Sequence, residues 1–190
     1  MNLINTTEFE TGFTLGMDPG GRERVVVVTK GTFKLPTTDC EPELADEQAP
    51  LVAADEFTGE PGLSATLYEA DFAPFKPRCD VLLNGSAYAP GGVPATELTV
   101  GLRVGTMQKS FSVVGSRTWQ RSLLAVKPSH PKPFTRLPIG YDQAYGGRDV
   151  SAKNPDKEKF YLANPAGTGY YPLTSHSKLV GRKLPNTSEL

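Results

Sequence analysis

The chain has 190 residues, 38% hydrophobic and 22% charged, with a net charge of −1. That size and composition suit one soluble domain, able to bury roughly 70% of the surface its unfolded chain exposes, so a single mostly-β domain over 1–190 is expected. Two cysteines, Cys40 and Cys79, are too few for a disulfide framework and read as free thiols. No run approaches the ~18 apolar residues of a membrane span, and MNLINTTEFETGF has neither a basic nor an apolar leader region, which predicts a cytoplasmic protein with no membrane insertion.

The near-zero net charge conceals an asymmetry. Residues 1–70 carry thirteen acidic and four basic side chains, whereas 71–190 carry eight and sixteen, so the two parts hold about −9 and +8. The basic part has no dense Lys/Arg run interleaved with aromatics, which argues against a nucleic-acid groove. Seventeen prolines and nineteen glycines punctuate short segments rather than forming a low-complexity tract.

Along the chain, period 2 dominates over 3.6. Phe13, Leu15 and Met17 alternate, Asp18-Pro19-Gly20-Gly21 is a turn, and RVVVVTKGTFKL at 24–35 places Val25, Val27, Phe33 and Leu35 on one face, predicting a hairpin over 12–35 with that face buried. Residues 37–50 read as an acidic, Pro-containing surface loop, and 51–57 and 64–70 as weaker strands. In DFAPFKPRCDVLLNGSAYAPGG at 71–92, Pro74 and Pro77 exclude regular structure. Val81-Leu82-Leu83 then predicts a strand buried on both faces, with Lys76, Arg78 and Asp80 at its mouth. Asp80 is therefore expected to be buried and paired, in a structural ion pair or facing a bound group.

Leu98, Val100, Leu102 and Val104 alternate with polar or small residues, Gly105-Thr106 makes a two-residue turn, and Met107, Phe111 and Val113 resume the pattern. Beyond Trp119, prolines 128, 131, 133 and 138 predict extended chain wrapping the sheet, anchored by Trp119, Phe134, Leu137, Ile139 and Tyr145. A short helix around Ile139–Tyr145 is the one helical candidate. The expected architecture is a β-sandwich or open β-barrel with long Pro/Gly-rich loops wrapping the sheet.

No catalytic constellation stands out. His130 and His176 lack partners at metal-ligand spacing, GLSAT at 62–66 has no following helix, and neither Gly91-Gly92 nor Gly146-Gly147 carries a phosphate-loop ending. No metal or cofactor is expected. The order of blocks at 71–92, LTVGLRVG, the lone Trp, LPIGYDQAYGG at 137–147 and ANPAGTGYY at 163–171 resembles the bacterial family called domain of unknown function 2169. The block residues that carry the resemblance include Asp71, Lys76, Pro77, Arg78, Asp80, Asn84, Gly85, Gly146, Gly147, Asn164, Pro165 and Gly167.

Members of that family are encoded beside type VI secretion genes, commonly next to effectors with a PAAR-like tip domain. The resemblance implies a cytoplasmic adaptor or chaperone, not an enzyme, that loads such an effector onto the secretion spike. The family domain continues past a GxxLPN-like segment, matched here by residues 181–186, so a shortened C-terminal portion is expected. Rigid aromatics would anchor such a partner, and Trp119, Tyr145, Phe160, Tyr170 and Tyr171 are the candidates. Two other readings stay open: a hydrolase using Asp80 or Asp142 with Lys76 or Arg148, and a carbohydrate-binding β-sandwich stacking sugars on Trp119 and Tyr170.

Overall fold

The computed structural model describes residues 2–35, 41–74 and 76–189, apart from the side chain of Glu189. Cys40 lies outside the described residues. Strand makes up 37% and helix 7%, with no helix of seven residues or more, so the chain is mainly β as its alternation predicts. The sheets are small and, among the described residues, none closes into a barrel. The chain groups into two compact units, one running to Glu56 and including Leu67–Val81, the other comprising Phe57–Thr66 and the chain from Leu82.

In the first unit, β1 (Glu10–Met17) and β2 (Glu23–Lys30) form the expected antiparallel hairpin, with Phe13 opposite Val27 and Leu15 opposite Val25. Asp18 shapes the turn: its Oδ1 accepts from the Gly20 and Arg22 amides at 2.9 and 3.0 Å, and its Oδ2 pairs with Arg24 at 2.8 Å. These bonds, led by the Arg22 amide, hold its carboxyl below the usual range.

The buried face is the opposite of the expected one. Leu15, Met17, Val25 and Val27 face solvent at 73%, 66%, 49% and 57% exposure, while Val26, Val28 and Lys30 are half-buried. The cause lies in Gly12 and Gly16, which share the Val26/Val28 face. A Cβ at Gly12 would stand 2.7 Å from Leu51 and 2.9 Å from Phe72, and one at Gly16 would stand 3.1 Å from Pro74. Only the glycine-bearing face lets these segments lie against the strands. β2 also ends at Lys30, before Phe33 and Leu35. Phe33 makes an isolated bridge with Leu44, and Gln48 clasps Thr32 through its Oε1 and Nε2, so the 41–50 segment is pinned to the hairpin's continuation.

The weak strands at 51–57 and 64–70 contract to β3 (Glu56–Phe57) and β4 (Thr66–Tyr68), which pair with each other. Val81, Leu82 and Leu83 form no strand and are 41%, 50% and 40% exposed, which corrects the buried-strand expectation. Pairing begins only at β5 (Gly85–Tyr88), where Gly85 meets Ile139, so the apolar run falls just outside the ladder.

The second unit is built around β6 (Glu97–Val104) and β7 (Met107–Val114), the hairpin that the alternation predicts, turned at Gly105 with φ +58°. Next come β8 (Trp119–Arg121), β9 (Val126–Pro128) and β10 (Arg136–Ile139). They are followed by β11 (Tyr145–Gly146), β12 (Arg148–Asp149), β13 (Lys159–Phe160), β14 (Thr168–Gly169) and β15 (Thr187–Glu189). β15 adds to the free edge of β7, and β10 pairs antiparallel with β5. β8 and β9 make a hairpin where uninterrupted wrapping chain was expected.

Ala87, Val113, Phe134 and Leu137 form the buried cluster, with Leu98, Val100, Phe111 and Ile139 packed against it. Phe134 and Leu137 thus anchor the Pro-rich segment as expected, whereas Tyr145 is half-exposed. The 139–145 segment holds only a three-residue 3₁₀ turn at Tyr141–Gln143.

The face inversion is directly testable by urea unfolding. Val28→Ser should cost about 1–2 kcal/mol, because it takes a methyl-rich side chain from the half-buried face, opposite Gly12, and places a hydroxyl there. Val27→Ser on the solvent face should stay within about 0.5 kcal/mol. Equal costs, or the reverse order, would contradict the assigned face.

Candidate functional site

The 71–80 block is a latch in the first unit. Asp71 Oδ2 pairs with Lys30 at 2.8 Å and accepts from the Val52 amide at 2.7 Å, while the Asp71 amide donates to the Val52 carbonyl. Burial pushes this carboxyl up, but the bonds from Lys30 and Val52 prevail and hold it below the usual range. Lys76 bridges Asp80 at 2.7 Å and Glu69 at 3.0 Å, and these partners, Asp80 first, raise its ammonium above the ordinary lysine range.

Asp80 is half-exposed, however, so the expected buried pair is a solvent-facing one. The strand whose mouth it was to close is absent, and nothing desolvates it. Arg78 is exposed, as is the free thiol of Cys79. Of the residues named for a hydrolase, Lys76 and Asp80 pair with each other in the first unit, and in the second Arg148 pairs with Glu158 at 2.9 Å.

In the second unit the motif blocks converge. Asn164 donates from Nδ2 to the carbonyls of Tyr141 and Tyr145, and its own carbonyl accepts from the amides of Gly147 and Gly167. β11 and β14 pair in parallel across this knot. Side chains are excluded from it: a Cβ on Gly146 would collide with the Asn164 carbonyl, one on Gly147 with the Gly167 carbonyl, and one on Gly167 would lie 2.6 Å from Asn164 Nδ2. Gly147 also sits at φ +106°. The 181–186 block ties in through Asn186, whose amide donates to the Gln143 carbonyl at 2.7 Å and whose Nδ2 donates to the Val114 carbonyl at 2.8 Å. Gly85 pairs with Ile139 within β5 and β10.

Asp149, which sequence reasoning did not single out, is the most deeply placed charge, at 2% exposure. Its carboxylate accepts from Ser151 N and Oγ, from the Leu173 and Thr174 amides at 2.7 and 3.1 Å, and from Thr174 Oγ1. Burial raises its pKa, and these hydrogen bonds, led by Ser151, more than reverse that and hold the group ionised below the usual range. The one sequence signal was Asp-Val-Ser, the spacing of a side chain bonding two residues on.

Tyr145, Tyr161 and Tyr170 form an aromatic cluster with centroids 5.2–6.4 Å apart. Of the anticipated anchors, Tyr145 (50%) and Phe160 (38%) are exposed, the latter beneath Arg148. Trp119, Tyr170 and Tyr171 are half-buried, and the Tyr171 hydroxyl donates to the Lys183 carbonyl at 3.0 Å. More prominent apolar surface lies elsewhere. It comprises the β1–β2 outer face and the turn between β8 and β9, where Leu123 and Leu124 are fully exposed although the Ser122 amide closes the turn onto Ala125. Among the described residues no helix is long and apolar enough to cross a membrane.

A family model described as an uncharacterized protein conserved in bacteria, domain of unknown function 2169, matches residues 20–190, and the chain belongs to that family. No curated protein and no solved structure matches the chain.

Removing the Asp149 carboxylate should be costly. Asp149→Ala removes the acceptor of the Ser151 and Leu173 amides and of the Ser151 and Thr174 hydroxyls and should lose about 3 kcal/mol in urea unfolding. Because the folded-state pKa is depressed, the stabilisation by this group is fully present above the unfolded value near 3.8 and is lost as pH falls through the folded value. Asp149→Asn should therefore flatten the loss of stability below about pH 4. An acid-unfolding profile identical to that of the parent would contradict the assignment.

Proposed function

We propose that this member of the family is a cytoplasmic adaptor of type VI secretion, holding an effector with a PAAR-like domain for loading onto the secretion spike. The family resemblance supplies the partner. The observation that carries a binding role is the display of large apolar side chains on short, well-braced hairpins, namely Leu15, Met17, Val25 and Val27 on one and Leu123 and Leu124 on another. Apolar surface of this kind on a rigid frame marks a protein-docking region, because ordering it again on binding costs little conformational entropy. Tyr145 and Phe160 supply aromatic anchors with one face still open.

The test is co-purification with candidate effectors that carry a PAAR-like domain. Leu15→Ser/Val25→Ser, Leu123→Ser/Leu124→Ser, and Tyr145→Ala/Phe160→Ala each keep the buried cluster intact. At least one pair should weaken effector capture by about 2 kcal/mol or more with an unshifted melting curve. An effector that never co-purifies with the parent chain, or that binds all three variants as well as the parent, would overturn the proposal.

A further inference from the structure

We infer that the second unit contains a binding site for a doubly charged oxyanion, independent of the adaptor reading, in the roughly 400 Å³ cavity where Arg117, Lys132 and Lys183 converge. These three cations face one carboxylate, Asp142, leaving the cavity at about +2. Among the described residues no ion pair neutralises any of the three cations, although six ion pairs form elsewhere in the same structure. Hydroxyls of Ser116 and Thr118 share the lining and offer further donors. Arg117 Nε is buried and, among the described residues, has no hydrogen-bond partner, so this lining residue keeps an unmatched donor.

The frame around these groups is fixed rather than adaptable. Arg117 Nη2 donates to the Pro185 carbonyl at 3.0 Å, the Leu184 amide to the Arg117 carbonyl, the Thr118 amide to Ser129 Oγ, and the Lys132 amide to the Ser116 carbonyl. Asn186 and Thr168 tie the same walls to the Tyr141–Gln143 turn, through the Gln143 and Asp142 carbonyls. Convergent cations on a preformed backbone frame suit phosphate or paired carboxylates. No aromatic side chain lines the cavity, so a nucleobase would find no stacking surface there. The ligand class is therefore a small polar molecule or group bearing a phosphate ester or two neighbouring carboxylates.

Isothermal titration of the full chain with inorganic phosphate and, separately, with succinate tests this. One or both should bind with unit stoichiometry, more weakly as salt rises, and at least about tenfold more weakly to Lys132→Met/Lys183→Met. Asp142→Asn should bind more tightly, because it removes the one opposing charge. Phosphate binding alone assigns the site to phosphate esters, and succinate binding alone assigns it to paired carboxylates. Both lysines are solvent-facing, so the double variant should melt as the parent does, and Arg117, whose guanidinium also braces Pro185, need not be altered. Neither anion binding at millimolar concentration, or the double variant binding like the parent, would overturn the inference.

Discussion

The structure depends on Asp and Asn side chains satisfying loop backbone that the small sheets leave unpaired. Most strands beyond the two long hairpins are two to four residues, and Val113 is the one large side chain fully enclosed among the described residues. So thin an apolar core cannot by itself specify where long Pro/Gly-rich segments lie, and every buried amide in them needs an acceptor. Asp18, Asp71, Asp149, Asn164 and Asn186 supply those acceptors and donors at five junctions. Each converts a loop crossing into a defined contact, and Asp149 does so through amide and hydroxyl donors. A carboxylate held by hydroxyls and amides is stable only while all its bonds are made, which makes the surrounding loops cooperative.

Glycine performs the complementary task. At Gly12 and Gly16 it lets a second layer lie on the first hairpin, and at Gly146, Gly147 and Gly167 it lets two backbones meet at a distance no side chain permits. The motif blocks that distinguish this chain are accordingly structural where they are densest. Within the second unit they build a frame that carries the aromatic cluster and the cationic cavity.

Much of this was legible in the sequence. The hairpin over 97–114 follows from strict alternation around Gly-Thr, and the turn at 18–21 from its Asp-Pro-Gly-Gly. The facing of the first hairpin was not legible, because Val25–Val28 is apolar on both sides and alternation within it carries no polarity; the glycines on the partner strand decide it. Val81-Leu82-Leu83 looked buried because an apolar run between turn signals usually is, yet no partner strand reaches it. Asp149 shows only its local bond to Ser151 in the sequence, since its other partners, Leu173 and Thr174, lie 24 and 25 residues away. The cationic cavity likewise gathers residues from five separate segments, none of which is a motif for anions by itself.

The central functional claim is that the exposed apolar hairpins are partner surface. Amide hydrogen exchange of the chain, alone and mixed with a candidate effector bearing a PAAR-like domain, tests it most directly. The account predicts slowed exchange on complex formation within 10–30 or 119–128, with the knot at 164–170 unchanged. A stable complex in which neither hairpin gains protection would contradict it.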